Sequence, residues 1–386
     1  MRILQVVKTN RGAIWALNQA VHLKELGVEV ITVIPNENDG NASKNNELGM
    51  KVIAADWSLP IGKPWRFFSK CREIRKVIKE ISPDLIHLHF VTNVLMCRLA
   101  LHKDNTPRLF QVPGPLHLEN KITSFVERHT ATKCDYWAGA CKWTYNEYIK
   151  KGISKDKVFL AYYGVPQKDI EINDGRSVLH TKFNIPTDKK IIAMVSYFYK
   201  PKRLLGQKCG LKGHEDFIDA MKIVMERYNN IMPVIIGNAW VGADKYEQKV
   251  KEYAQKQLGE YVIFTGYIDN VYRIYQEIDI VVHPSHSENL GGAAESLMLA
   301  VPTISSNVGG FPDIVIPGKT GCLAESKNPK DLAETIEWAI NHTDEVNSMA
   351  ETGQHIVTKL LALDNTAKAI YDIYNKILNR VEIEQL

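Results

Sequence analysis

The chain has 386 residues, 45% of them hydrophobic and 24% charged, with a formal net charge of +4. That is the balance of an ordinary globular protein, and at ~100–200 residues per domain the length calls for two domains. No low-complexity tract, fixed-period repeat or apolar run near the ~18 residues of a spanning helix is present, which excludes solenoids, disordered tails and transmembrane segments.

Taken in chain order, Arg2–Lys8 reads as a strand, Ala13–Leu26 as a helix closed by Gly27, and Val28–Ile34 as the next strand. The opening is too short and too soon interrupted for a signal peptide, so a cytoplasmic protein is expected. Further strands are expected at Lys51–Ala54, Leu85–His89, Arg108–Val112, Asp135–Gly139 and Lys157–Ala161. Helical patterns fill the gaps. In one, Phe67, Cys71, Ile74, Ile78 and Ile81 recur at three- and four-residue spacing.

Gln167–Lys190 is polar and without strong period, and reads as an interdomain linker. The alternation then restarts. Strands are expected at Ile191–Ser196, Pro233–Gly237, Val262–Thr265, Ile280–His283 and Thr303–Ser305. Helices are expected at Glu215–Arg227, Tyr246–Gln257 and Ala293–Ala300, and only helices beyond. Repeated βα units imply parallel sheets covered on both faces, with ligands at strand C-termini. The expected domains are 1–170, 171–365 and a C-terminal helix within 366–386 that packs back on the first.

Six scattered cysteines show no C-x-x-C pair, so they read as free thiols and not as a metal site. Charge is unevenly placed. Residues 1–165 hold 24 basic and 15 acidic side chains, a balance of +9; the remainder holds 24 and 29, a balance of −5. The stretch Lys63–Lys79 has seven basic residues against Glu73 alone, with Trp57, Trp65, Phe67 and Phe68 close by. A basic amphipathic helix with aromatics suits an anionic membrane surface, although a solvated face is the commoner fate of such runs. No recognition motif accompanies the charge, so nucleic acid is not an expected partner.

The strongest motif is His283-Pro284-Ser285-His286-Ser287-Glu288-Asn289-Leu290-Gly291-Gly292-Ala293-Ala294-Glu295-Ser296. A strand ends, a Gly-containing turn follows and a helix begins. Free N–H groups at that helix start suit a phosphate anion. Glu295, in the first turn, is better suited to accept hydrogen bonds from ribose hydroxyls. Lys212, just before Gly213 and a helix start, offers a mobile cation beside a phosphate site, or else an ordinary exposed lysine. The loop 200–208 adds Lys200, Lys202, Arg203 and Lys208. Arg203 is favoured among them because a guanidinium grips two phosphate oxygens.

These segments resemble the family-4 retaining glycosyltransferases, which have the GT-B fold: two Rossmann-like α/β/α domains facing each other across a cleft. Glu288 and Glu295 around the glycine turn carry the resemblance, with Leu297–Ser305 and Gly309-Gly310 beyond them. It extends to Gly12, Pro83–His89, Tyr163-Gly164-Val165 and Lys212-Gly213-His214. It implies that Glu295 holds the ribose, Glu288 contacts the donor sugar, and Asn289, Leu290, Gly291 and Gly292 face sugar and diphosphate. Lys212 would bind the diphosphate, and Gly237, Gly266 and Tyr267 would line the nucleotide pocket. His117, after the strand-end turn Val112–Pro115, matches a histidine that reaches the reaction centre. Two departures stand out: the glutamates are seven positions apart where eight is usual, and Ser196-Tyr197 replaces Gly-Arg.

No Asp-x-Asp, G-x-G-x-x-G, Walker lysine motif or G-x-S-x-G is present, which weakens a metal-chelating donor site, a dehydrogenase, an NTPase and a hydrolase. The expected activity is therefore retaining, metal-independent hexosyl transfer, with no cofactor, from a nucleotide diphosphate sugar to the hydroxyl of an acceptor glycan, in surface polysaccharide or glycolipid assembly. A lipid-linked acceptor would place the enzyme on the inner face of the plasma membrane. The alternatives are a nucleotide-sugar 2-epimerase and a non-catalytic sugar-nucleotide-binding subunit.

Overall fold

A computed structural model describes residues 1–10, 12–35, 40–167, 178–202 and 207–385. The chain divides into two units. One is Met1–Pro166 with Leu360–Leu386; the other is Gln167–Lys359.

The first unit holds strands β1 (Arg2–Val6), β2 (Glu29–Ile34), β3 (Lys51–Ala54), β4 (Leu85–Leu88), β5 (Arg108–Val112), β6 (Asp135–Gly139) and β7 (Val158–Leu160). They form a parallel sheet in the order β3-β2-β1-β4-β5-β6-β7. Successive residues face opposite sides, so Phe110 and Trp137 join one core and Leu109 and Tyr136 the other. The helix Phe67–Ile81 covers the first face with Cys71, Ile74 and Ile78, at the spacing read from the sequence. The helices Ile14–Glu25 and Leu363–Gln385 cover the second, the latter through Ile370, Ile373, Tyr374 and Ile377.

The second unit holds β8 (Lys190–Val195), β9 (Ile231–Ile236), β10 (Ile263–Gly266), β11 (Ile280–His283), β12 (Thr303–Ser306) and β13 (Cys322–Ala324), in the order β10-β9-β8-β11-β12-β13. All its pairings are parallel. Strand order reverses between β1 and β4 in one sheet and between β8 and β11 in the other. Such switch points open a crevice at the strand C-termini.

Two expectations need correction. Gln167–Lys190 is not all linker: Val178–Phe183 is a helix with Leu179 fully buried. Its first N–H groups, from Val178 and Leu179, each donate to the Glu277 carboxylate at 2.7 Å, a cap supplied from about a hundred residues away. The expectation of helices alone beyond residue 305 misses β13, a three-residue edge strand that pairs Cys322 with Ile304.

The basic stretch Lys63–Lys79 is not one solvated face either. Lys70 is buried, with Nζ 2.8 Å from Asp56 Oδ2 and 3.0 Å from the Ser58 carbonyl. Arg75 Nε donates to the Ala100 carbonyl at 2.8 Å, and Trp57 lies in the core. Ile61, Trp65 and Phe68, by contrast, are 76%, 73% and 78% exposed. Among the described residues no helix is long and apolar enough to cross a membrane.

Candidate active site

The candidate site lies at the switch point of the second unit, where β8 and β11 end. β11 delivers His283 into the core, where its Nε2 is 3.2 Å from Ser296 Oγ. Burial, helped by the Lys212 charge, pushes the imidazole pKa down to about 3, so the ring is neutral and structural. The loop beyond is tied from several sides. The His286 N–H donates to the Leu211 carbonyl at 2.8 Å, and the Gly310 N–H to the Glu288 carbonyl at 3.2 Å. The helix Gly291–Met298 then starts with no side-chain cap on its N-terminal amides. Gly292 is required by close approach: a Cβ there would lie 2.8 Å from the His283 ring. The helix N-terminus therefore packs directly against the end of β11, with the Glu288 carboxylate beside Gly291 but no side-chain cap on the amides.

Lys212 comes from the other flank. Gly213 has φ +75°, and a Cβ on it would meet the Pro284 carbonyl oxygen at 2.0 Å. This contact sets Lys212 beside the β11 loop, where its Nζ pairs with Glu288 Oε2 and lies 5.7 Å from the Tyr199 ring centroid. Burial works to lower the ammonium pKa, but the Glu288 charge and hydrogen bond outweigh it and hold the group above its ordinary value. Lys212 is thus a firm cation at neutral pH.

A cavity of about 390 Å³ opens in front of these elements. It brings together Lys212, Gly237, Tyr267, Gly292 and Glu295 from the residues singled out in the sequence. Gly266, one residue before Tyr267, closes β10. Glu288, Asn289, Leu290 and Gly291 are not among the lining residues. Glu288 instead partners Lys212 and accepts from the Asn289 N–H at 3.1 Å, and Leu290 is buried. Arg203 lies outside the described residues.

The sequence reading passed over the aromatic wall. Tyr197, Tyr199 and Tyr272 line the same cavity. Tyr197 packs edge-on against Trp240 with centroids 5.2 Å apart. Burial and the Glu295 charge push the Tyr272 hydroxyl up to about 12, so it remains a neutral donor. The signal was present in Ser196-Tyr197: a ring stands where a cation was looked for, and a ring offers a stacking surface.

Gly12 and His117 belong to the first unit. Gly12 is exposed in the turn after β1, its carbonyl accepting from the Asn41 amide. His117 sits on the short helix Leu116–Glu119, with Nε2 2.9 Å from the Tyr148 hydroxyl. Burial lowers its pKa against the opposing Glu127 charge, so the ring is neutral at pH 7.

The fold class is GT-B. HepE from Anabaena, solved in complex with UDP and glucose, superposes with a TM-score of 0.77 at 16% identity, covering 97% of this chain and 99% of that one. A protein assigned as a UDP-N-acetylglucosamine 2-epimerase from Listeria monocytogenes gives 0.63 at 15% identity, covering 96% and 94%. The family of glycosyl transferases group 1 matches residues 176–356, and glycosyltransferase family 4 matches residues 12–168. The chain belongs to this family-4, group 1 type of glycosyltransferase. Among curated proteins it is 24% identical over 310 residues to the glycosyltransferase MJ1178 of Methanocaldococcus jannaschii, 78% of each chain. It is 26% identical over 174 residues to the capsular polysaccharide biosynthesis glycosyltransferase CapM of Staphylococcus aureus, 44% of each.

Proposed function

We propose that the chain transfers a hexosyl group from a nucleotide diphosphate sugar to an acceptor hydroxyl, with retention and without a metal or cofactor, in surface polysaccharide or glycolipid assembly. The observation that carries this reading is the convergence of Glu295, Lys212 and the uncapped helix N-terminus at Gly292 on one cavity. A carboxylate for ribose hydroxyls, a cation and free amides for a diphosphate, and tyrosine rings for a base are the groups such a donor needs. HepE binding UDP and CapM acting in capsule synthesis support the donor class and the pathway type.

On donor binding, the diphosphate would compete with Glu288 for Lys212 and free that carboxylate for the sugar. Charge developing on the leaving diphosphate would be met by Lys212, by the helix amides and by Arg203. A leaving phosphate oxygen can take the acceptor proton, so no separate general base is required. Gly12 is assigned to donor binding and His117 to the reaction centre, both from the first unit. The exposed Ile61, Trp65 and Phe68, with Lys63 and Arg66 between them, support contact with an anionic membrane surface and a lipid-linked acceptor.

The test is turnover of sugar nucleotides with lipid-linked acceptors, reading the anomeric configuration of the product by NMR. Retention, with activity unchanged by EDTA, is expected. Inversion, or loss on chelation restored by manganese, contradicts the proposal. Interconversion of the donor with no acceptor present would mark the epimerase instead, the reading with the lower structural similarity.

A further inference from the structure

The loop after β8 lines two different cavities. Tyr197 and Tyr199 belong to the Glu295 cavity. Lys200, Lys202 and Lys208 line a second one, of about 1510 Å³, together with Lys245 and Lys249 of the helix Asp244–Leu258. Lys245 and Lys249 are four residues apart and so share a helix face. Among the described residues none of these five lysines has an ion-pair partner, whereas Lys251 of the same helix pairs with Glu247 at 2.7 Å. This half of the chain is net acidic, 24 basic against 29 acidic side chains beyond residue 165, so five unpaired cations around one opening are a local excess. Two acids, Glu215 and Asp244, also line it. Glu215 is already engaged, accepting from the Tyr246 hydroxyl at 2.8 Å.

Tyr246 and Tyr253 line it as well. Tyr246 accepts from the Gly210 N–H at 2.9 Å, and Tyr253 donates to Asp219 at 2.5 Å. Both hydroxyls are committed, so these side chains give the cavity ring surface. The volume exceeds the roughly 300–1,000 Å³ of small-molecule pockets and suits an oligomeric ligand. Lysines for anions, fixed rings for sugar faces and oligomer-sized space occur together.

We propose that this is a second binding site, separate from the donor cavity, for an acidic glycan: a saccharide chain bearing carboxylate or phosphate groups. That the anions are carried on a saccharide rests on the transferase reading; the anion site itself does not.

Fluorescence anisotropy on the full chain tests it, with three labelled probes of equal length. Oligogalacturonate carries carboxylates, a phosphorylated mannan oligosaccharide carries phosphates, and a maltooligosaccharide carries neither. At least one acidic probe should bind, the neutral one should not, and the bound acid type identifies the anion. Lys245→Glu with Lys249→Glu should weaken acidic binding roughly ten-fold or more, and the double arginine variant should retain it. Nucleotide sugar affinity by calorimetry should be the same in all three proteins. Equal binding of the neutral probe, binding of neither acidic probe, or an indifferent double Glu variant overturns the proposal. So does displacement of the acidic probe by UDP or a nucleotide sugar, which would assign these lysines to the donor diphosphate. If no nucleotide sugar binds the wild type, the donor reading fails while the anisotropy still decides this site.

Discussion

Both units are parallel sheets with one switch point, yet they dispose of their charged groups in opposite ways. In the first, charges are turned inward and matched. Arg98 meets Glu127 and Asp135 at 2.9 Å each, and Arg108 grips both oxygens of Asp135 at 3.1 Å. All four side chains are at most 2% exposed. At the ends of β1 and β4, His89 Nε2 meets the Gln5 amide at 3.0 Å and its Nδ1 meets Tyr163 at 2.9 Å. In the second unit, Lys212, Glu288 and Glu295 stand at the strand ends beside an open cavity, with Lys212 and Glu288 20% and 16% exposed. The first arrangement spends charge on specifying a core; the second keeps charge available to a ligand.

The comparison breaks most readily at Asp135. Removing the carboxylate leaves two buried guanidiniums without it, which should cost about 3–5 kcal/mol. Calorimetric unfolding of Asp135→Ala should show that loss with nucleotide affinity at the second unit unchanged. A loss under about 1 kcal/mol would mean the buried network is not coupled to the fold of its unit.

Acid sharpens the same contrast. Burial pushes both His87 and His214 down to about 3. A histidine held neutral in the fold but protonated in the unfolded chain removes stability as pH falls from about 6.5 toward 3, about 2 kcal/mol each at pH 5. His214 stacks on Phe198 at 4.0 Å, and neither ring nitrogen has a hydrogen-bond partner among the described residues. His214→Phe should therefore flatten the pH dependence between 7 and 5 at no cost at pH 7. His87→Phe should flatten it but lose the 2.6 Å contact to Tyr374. Unfolding curves for His214→Phe that keep the wild-type pH slope would contradict this.

The smallest effect concerns the outer surface of the first unit. Trp65→Ser with Phe68→Ser should reduce co-sedimentation with anionic vesicles at low salt by several-fold, without a change in unfolding temperature. Lys70 is unsuitable for such a test because it fastens Asp56 in place. Equal sedimentation of variant and wild type would leave a soluble acceptor as the better reading.

Much of the fold was legible because β-strands buried on both faces are short apolar runs between turn residues. Arg108–Val112, Asp135–Gly139 and Ile280–His283 read with the bounds they have, as does Lys51–Ala54, an edge strand that is not buried. The helix Val178–Phe183 did not, since its cap comes from Glu277, and neither did three-residue β13. At the site, glycine placement and the two glutamates were readable as a strand–turn–helix anion site. The Lys212–Glu288 pair was not, because nothing in local spacing joins residues 76 positions apart. The matched charges of Arg98, Glu127, Asp135 and Arg108 were equally hidden: charged residues read as solvated until their partners are known.

In the proposed function, the cavity in front of Gly292 holds a nucleoside diphosphate sugar, with Glu295 on the ribose. Calorimetric titration of wild type and Glu295→Gln with UDP-, GDP- and ADP-sugars tests it most directly. The substitution keeps shape but removes the charge that accepts hydroxyl hydrogen bonds, worth about 1.5–3 kcal/mol, so affinity for the preferred donor should fall ~10–150-fold. The same affinity in both proteins would contradict the account.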